Sequence, residues 1–94
     1  MIVDFDRLTD KELCIRSRKI GDRIVLYKDG KSRKLKDFFI DKKIPRGERG
    51  KIPLLCTNDQ VVAVIGYRVA ENYRVNKNTK KGLVITYGTS YEDR

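Results

Sequence analysis

The residues most suited to chemistry in this 94-residue chain are its lysines and arginines, which are concentrated between residues 28 and 51. That segment holds ten basic and four acidic residues, so it carries +6 of the chain's net charge of +9. Cationic groups at this density suit the phosphates of a nucleic acid, because each neutralised phosphate releases condensed counterions. The segment therefore predicts RNA binding, although a lysine-rich surface also serves solubility.

Catalytic and metal-binding chemistry is not predicted. The chain has no histidine, so Ser-His and Cys-His nucleophile pairs are excluded, and its carboxylates lie singly among cations. Cys14 and Cys56 each lack the nearby second cysteine that zinc sites use. We expect no catalytic residue, no metal and no cofactor in this chain. We also expect two buried thiols, with a disulfide between them left open.

Membrane association and secretion are not indicated. No segment reaches the roughly 18 apolar residues of a membrane-spanning helix. The first six residues include two aspartates where a signal peptide carries cations. We therefore expect a cytoplasmic protein without a membrane partner.

Hydrophobic periodicity predicts one principal helix over about residues 33–43. Leu35, Phe38 and Phe39 fall on one side of it, and Ser32 is the expected N-cap. Pro45 limits the helix to about three turns, since the residue before a proline avoids the helical region. Residues 46–51 are expected to form a turn or a further helical turn.

The other apolar segments predict strands, of which 61–65 is rich in β-branched residues and so is expected to be buried on both faces. Strands are expected over residues 13–18, 23–27, 52–56, 61–65, 68–75 and 83–87. An Asp29-Gly30 turn follows the second of them, and the chain beyond Gly88 is expected to fray. The prediction is one domain over residues 1–94 of α+β class, mostly strand, with the helix packed on a sheet.

Gly47 and Gly50 suggest two kinds of phosphate-binding loop. A nucleotide-triphosphate loop is excluded, because the glycines are too close and Ile52 stands where Ser or Thr would bind magnesium. The Gly-x-x-Gly spacing loosely matches the loop with which KH domains clamp a nucleic-acid backbone. Pro53 fits poorly with a KH loop, which joins two helices, so a KH-like RNA binder is kept only as an alternative.

Three separated blocks of the sequence match a known family in order and spacing. They are Ile-Arg-Ser-Arg-Lys-Ile-Gly-Asp-Arg at 15–23, the stretch from 34 to 55 with its Ile-Pro-Arg and Ile-Pro-Leu-Leu motifs, and Val-Ile-Gly-Tyr-Arg at 64–68. Over roughly residues 13–86 the chain resembles the C-terminal domain of bacterial tRNA(Ile)-lysidine synthases.

This resemblance implies a non-catalytic domain that grips tRNA at its acceptor-stem end. A separate N-terminal ATP-pyrophosphatase domain would use ATP and magnesium to join lysine to the wobble cytidine of an isoleucine tRNA. The implied partners are that tRNA and that catalytic domain, and homodimer formation is left open. Because this chain contains nothing like the Ser-Gly-Gly-x-Asp-Ser loop that binds ATP in these enzymes, we do not expect it to catalyse the reaction alone.

The chain departs from the family pattern at three positions. Ile20 stands where proline is common, and Gly47 and Gly50 stand where charged or polar residues are more frequent. We therefore expect the turn after Pro45 to be looser than in relatives.

The charge pattern and the resemblance select the same candidate phosphate contacts, since Arg offers a planar fork and Lys a mobile point charge. The ten RNA-binding candidates are Arg16, Arg18, Lys19, Arg23, Lys34, Lys36, Lys42, Lys43, Arg46 and Arg49. Gly21 is expected to adopt a positive φ in a turn, and Asp22 to pair with Arg18 or Arg23.

Other residues of these blocks are assigned to the core or left open. The predicted core residues are Phe38, Phe39, Ile44, Leu54 and Leu55. Tyr67 and Arg68 are left between an RNA contact and a sheet cap. The competing function is a protein-interaction or interdomain module whose basic face meets an acidic partner or the catalytic domain.

Overall fold

The structure, a computed structural model, describes residues 1–86. This range folds into short strands and two α-helices, with 3-10 helices at Phe5–Arg7 and Glu71–Tyr73. The strands are β1 (Ile2–Asp4), β2 (Cys14–Arg16), β3 (Arg23–Val25), β4 (Ser32–Lys34), β5 (Leu54–Cys56), β6 (Val61–Val64), β7 (Arg68–Val69) and β8 (Gly82–Val84), and the helices are α1 (Leu35–Asp41) and α2 (Arg46–Arg49). The predicted α+β class with one principal helix is confirmed. Tyr87 and the fraying expected beyond Gly88 lie outside the described residues.

A four-stranded antiparallel sheet in the order β2-β5-β6-β7 forms the centre of the fold. All residues of β6 are buried, as its β-branched composition predicts for a strand covered on both faces. Strands β3 and β4 form a separate hairpin around Gly30, which has φ +89. Helix α1 begins at the residue after β4, so the hairpin and the helix are directly joined.

Helix α1 packs into the hydrophobic core through the side that the periodicity predicts. Leu35, Phe38 and Phe39 are buried, and the two phenylalanine rings meet edge to face with centroids 5.9 Å apart. Ile44, which follows the helix, is buried as well, and so are Leu54 and its neighbour in β5. The predicted core assignments are confirmed.

Helix α1 is shorter than expected, spanning two turns rather than about three. The predicted N-cap is wrong, because Ser32 lies in β4 and its hydroxyl accepts a hydrogen bond from Arg23 Nε at 2.7 Å. Lys34 still has extended backbone angles and precedes the first helical residue. The hairpin pairing therefore holds residues 32–34 out of the helix.

The N-terminal segment is part of the core, although the sequence pattern predicted no strand there. Strand β1 pairs antiparallel with β8, and Ile2 lies opposite Val84. Val3 and Leu8 are fully buried. These residues precede position 13, where the resemblance begins, so the folded unit extends beyond the resembling segment.

The strand predicted over residues 68–75 is mostly wrong. Only Arg68–Val69 pairs with β6, and the chain then turns into a 3-10 helix that buries the ring of Tyr73. The Tyr73 hydroxyl donates a hydrogen bond to Gln60 Oε1 at 2.6 Å. This anchor stabilises the turn, which the alternation of apolar residues does not reveal.

The two cysteines lie directly opposite each other in the β2–β5 pair. Both thiols are free. Cys56 is buried, and burial raises the pKa of its thiol. The prediction of two buried thiols is wrong for Cys14, which is exposed because β2 is an edge strand.

Asp22 joins the edge strand β2 to helix α1. Its carboxylate accepts two hydrogen bonds from the guanidinium of Arg16, at 2.8 and 3.1 Å, and one from the backbone N–H of Lys19 at 2.7 Å. Its backbone carbonyl accepts the N–H of Leu35 at 3.0 Å. The hydrogen bond from Arg16 is the main reason that the pKa of Asp22 lies below its ordinary value, and burial opposes this shift.

The predicted pairing of Asp22 with Arg18 or Arg23 is wrong. The Arg23 side chain donates instead to the facing strand of the hairpin. The Arg18 guanidinium lies 5.6 Å from the ring centroid of Phe39 and covers that buried ring.

Replacing Phe39 with alanine should severely destabilise the domain. The side chain is fully buried, so Phe39→Ala is expected to lower the free energy of unfolding by about 3–5 kcal/mol. Urea unfolding followed by circular dichroism measures this loss. Ile40→Ala is the control, because Ile40 follows directly in the same helix and is 49% exposed. Equal losses in the two variants would contradict the packing of α1 described above.

Replacing Asp22 with asparagine should destabilise the domain in a pH-dependent way. The variant loses a partly buried, charged hydrogen-bond acceptor, so we expect a loss of about 1–2 kcal/mol at neutral pH. Because the folded-state pKa is below the ordinary 3.8, the contribution is complete above that pH and is lost as the pH falls through the folded pKa. The melting temperatures of wild type and variant should therefore converge only below pH 3.8.

The matched control for this measurement is Asp29→Asn. Asp29 is exposed and lies 3.8 Å from Lys31, a surface contact of little expected energy. A melting-temperature difference for Asp22→Asn that stayed constant from pH 6 down to pH 2, or that was no larger than that of Asp29→Asn, would contradict the role of the Arg16–Asp22 pair.

Candidate nucleic-acid interface

Six of the ten predicted phosphate contacts line two clefts at opposite ends of α1. The turn cleft has a volume of about 400 Å³ and is lined by Arg18, Lys19, Ile20, Gly21, Asp22, Lys34 and Lys36. The helix-end cleft has a volume of about 430 Å³ and is lined by Lys42, Lys43, Ile44, Pro45, Glu48, Lys51, Ile52, Pro53, Ile65 and Tyr67. The seven-residue helix between them is about 10 Å long.

The turn cleft is shaped by the sharp turn between β2 and β3. Gly21 has φ +90, as predicted, and this left-handed conformation is open to glycine without strain. The N–H of Asp22 donates to the carbonyl of Lys19 at 3.1 Å and closes the turn. Ile20, at the tip, is fully exposed. The turn thus presents its side chains to solvent on a backbone that is held by hydrogen bonds.

The cations of the turn cleft remain available for a ligand. Arg18 stacks on Phe39, and Lys19, Lys34 and Lys36 are exposed. None of the four forms an ion pair with another residue between 1 and 86. The one acidic residue in the lining is Asp22, whose charge is matched by Arg16. The turn cleft therefore presents four cationic groups without a competing carboxylate.

Arg16 and Arg23 are placed differently from the other candidates. The guanidinium of Arg16 is engaged by Asp22 and by the carbonyl of Ser17. Arg23 donates to the hydroxyl and the carbonyl of Ser32 at 2.7 and 3.2 Å. Neither residue lines the turn cleft or the helix-end cleft. Arg16 stabilises the turn through Asp22, and Arg23 stabilises the β3–β4 hairpin through Ser32.

The helix-end cleft lies where α1 stops and the chain turns into α2. Lys43 has φ +59, an uncommon value for a residue with a side chain, and its N–H donates to the carbonyl of Ile40. Lys42 lies with its ammonium 5.7 Å from the ring centroid of Phe38. Lys51 pairs with Glu48 at 3.4 Å. Lys42 and Lys43 form no ion pair with the described part of the chain.

Helix α2 carries the last two candidates, Arg46 and Arg49. Arg46 is exposed, and no residue of the described range forms an ion pair with it. Arg49 is half-buried, and its Nε donates to the carbonyl of Ile44 at 2.9 Å. Arg49 therefore ties α2 to Ile44, the residue before Pro45.

Sequence reasoning did not select two residues that line the helix-end cleft. The charge pattern includes Lys51 without selecting it as a contact, and the sequence leaves Tyr67 between an RNA contact and a sheet cap. Tyr67 is 47% exposed and follows Gly66, which has φ +89. Arg68 has a structural role, since it donates to the carbonyl of Leu26 at 3.2 Å. The sequence signal that identifies Tyr67 is an aromatic residue directly after Gly66, at the end of a predicted buried strand.

The two clefts are lined mainly by cationic and apolar side chains. Residues 1–86 contain no group of three or more His, Cys, Asp or Glu side chains that could hold a metal ion. The same range contains no helix long and apolar enough to cross a membrane. What the clefts present to a ligand is ammonium and guanidinium groups, apolar floor residues and one tyrosine ring.

Similar proteins are known for most of the chain. A tRNA(Ile)-lysidine synthase from Caldanaerobacter subterraneus subsp. tengcongensis is 46% identical over 84 residues, which cover 89% of this chain and 18% of that protein. The tRNA(Ile)-lysidine synthase of Clostridioides difficile is 45% identical over 75 residues, 80% of this chain and 16% of that protein. This chain thus spans less than a fifth of the length of these relatives.

A solved structure has a similar fold. A crystal structure of a TilS C-terminal domain superimposes with a TM-score of 0.68 at 35% sequence identity, covering 81% of this chain and 58% of that one. Residues 13–86 match the family described as the TilS substrate C-terminal domain. That match includes both clefts, α1 and the whole four-stranded sheet, so the chain belongs to the TilS substrate C-terminal domain family.

Proposed function

We propose that this domain binds tRNA through the cations of the turn cleft, the helix-end cleft and α2. The observation that carries the proposal is that six predicted phosphate contacts line the two clefts and form no ion pair within the described residues. A cation already paired with a carboxylate would have to lose that partner before it could bind a phosphate. Unpaired cations bind without this loss.

The positions of the two clefts suit a ligand that carries a row of charges. The clefts lie at the two ends of a helix that is about 10 Å long and is anchored in the core. A polynucleotide has phosphates at regular spacing and can occupy both clefts at once. Contacts of this kind read the shape and charge of the backbone, so we expect little sequence preference and a strong dependence on salt.

We further propose that the domain serves a cytoplasmic tRNA(Ile)-lysidine synthase by holding the acceptor-stem end of isoleucine tRNA. The relatives named above support this, since they carry that enzyme name and are about five times longer than this chain. Formation of lysidine, with its ATP and magnesium, would belong to a catalytic domain outside the family match. The residues of this chain do not fit those groups, because it lacks an ATP-binding loop and the described residues hold no metal-ligating cluster.

A second candidate function is contact with another part of a synthase. An apolar groove between β2 and β8 favours it, and Ile15 and Val84 at this groove are 65% and 66% exposed. The relatives named above are about five times longer than this chain. The occupant proposed for this groove is therefore a neighbouring domain of the same enzyme. The KH-like alternative is not supported, because Gly47 lies within α2 and no second helix follows Gly50 before β5.

Reversing charge in the turn cleft should weaken RNA binding strongly. Lys34→Glu with Lys36→Glu removes two cations and adds two anions beside the bound phosphates. We expect at least a tenfold loss of affinity for isoleucine tRNA near 100 mM salt. We also expect a decrease of about 1–2 in the slope of log K against log salt. Fluorescence anisotropy between about 50 and 200 mM salt measures both quantities.

The matched control is Lys77→Glu with Lys80→Glu, which changes the net charge equally at exposed positions outside both clefts. Equal losses in the two double variants would show that only total charge matters and would contradict the proposed clefts. An unrelated tRNA of equal length tests the expected lack of sequence preference. No binding of wild type to either tRNA at the lowest salt would overturn the RNA-binding function and favour interdomain contact.

A further inference from the structure

We propose that the helix-end cleft binds one unpaired nucleotide of an RNA, with its base against Tyr67 and its phosphate at Lys42 and Lys43. This inference rests on the proposed RNA-binding function and extends it, because it assigns a distinct ligand to one of the two clefts. The evidence is the combination of an exposed aromatic ring, an apolar floor and a cationic rim in one concavity.

The floor of the helix-end cleft is apolar and firmly held. Ile44, Ile52 and Ile65 are buried members of the core cluster, and all three line this cleft. The N–H of Ile65 donates to the carbonyl of Pro53 at 3.1 Å, which fixes β6 to the segment before β5. A planar base can cover such a floor without leaving a polar group unpaired.

Tyr67 gives the cleft one aromatic wall. Its ring is half-exposed, whereas its backbone N–H donates to the carbonyl of Val64 at 2.9 Å in the tight turn at Gly66. The ring is therefore presented on a backbone that needs little ordering when a ligand binds. Stacking of a base on an aromatic side chain contributes about 1–3 kcal/mol and depends little on which base is stacked.

The charges around the cleft are unevenly distributed, and this gives a bound nucleotide an orientation. Lys42 and Lys43 lie at the end of α1 without an ion pair in the described range, whereas Glu48 and Lys51 pair with each other. A phosphate is attracted to the two unpaired lysines and repelled by Glu48. The base is then left to the apolar floor and to Tyr67.

The proposed ligand is an unpaired nucleotide rather than a base pair, because stacking on Tyr67 requires a base with a free face. Bases inside an RNA duplex are stacked on both faces and paired along one edge, so a tyrosine ring cannot reach a free face. A single-stranded or unstacked base offers that face. The turn cleft contains no aromatic side chain, so it is suited to backbone phosphates alone.

Three RNA probes test the inference: a blunt hairpin, the same hairpin with a short single-stranded 3′ overhang, and the same overhang made of abasic nucleotides. The last two carry equal numbers of phosphates, so any difference between them comes from the bases. We expect wild type to bind the overhang with bases about 5- to 150-fold more tightly than the abasic overhang. Fluorescence anisotropy at constant salt measures these ratios.

Variants of Tyr67 separate the effect of the ring from changes in charge or folding. Tyr67→Ala should bring the affinities for the intact and the abasic overhang to the same value, and Tyr67→Phe should retain the preference for bases. Because neither variant changes net charge, the salt slope for the blunt hairpin should stay the same. Melting temperatures of both variants check that the domain remains folded.

The possible results distinguish this inference from the proposed function on which it rests. Equal wild-type affinities for the abasic and the intact overhang, with salt-dependent binding of the blunt hairpin, would overturn the nucleotide site and leave RNA binding intact. A preference for bases that survived in Tyr67→Ala would also overturn the site. Failure of wild type to bind all three probes at about 50 mM salt would overturn both.

Discussion

The candidate interface depends on the hydrogen-bonded pair of Arg16 and Asp22. Through this one carboxylate the edge strand β2, the turn at Lys19 and the start of α1 are held together. The pair is partly buried, so removing one partner leaves the other with fewer hydrogen bonds in a partly desolvated position. In the same pair, Arg16 neutralises the charge of Asp22 in the turn cleft. The surrounding lysines and Arg18 therefore stay available to bind a ligand.

Helix α1 sets the positions of the two clefts relative to each other, because one cleft lies at each of its ends. Its buried residues Leu35, Phe38 and Phe39 fix the helix to the hydrophobic core, and cations lie on the segments at its two ends. A helix of seven residues would be unstable in isolation, because most helical stability in proteins of this size comes from packing. The core thus determines where the candidate cations stand, and the two clefts share one rigid element.

Sequence patterns within a single element predicted which side of that element is buried. They did not predict pairings between residues that are far apart in the sequence. The spacing of Leu35, Phe38 and Phe39 identified the buried side of α1, and the β-branched run identified β6. The pairing of β1 with β8 joins residues about 80 positions apart, and no periodicity reports it. Asp22 pairs with Arg16 rather than with Arg18 or Arg23, which are closer in sequence, because the fold places the Arg16 side chain beside the Asp22 carboxylate. Ser32, a suitable N-cap by type, was taken up by hairpin pairing.

Net charge alone could not have separated the two clefts, because each contains cations and one carboxylate. In the turn cleft Asp22 is held by Arg16, and in the helix-end cleft Glu48 is held by Lys51. In both cases the acid is matched by a cation that is not one of the six candidates lining the clefts, so those six form no ion pair within the described residues. The two clefts differ in their other lining residues. The turn cleft has four cationic side chains and no aromatic one, whereas the helix-end cleft also has Tyr67 and three buried isoleucines. Those isoleucines come from three separate segments, and only folding brings them into one cleft with Tyr67. The difference between a site for backbone phosphates and a site for a base therefore arises from the tertiary structure.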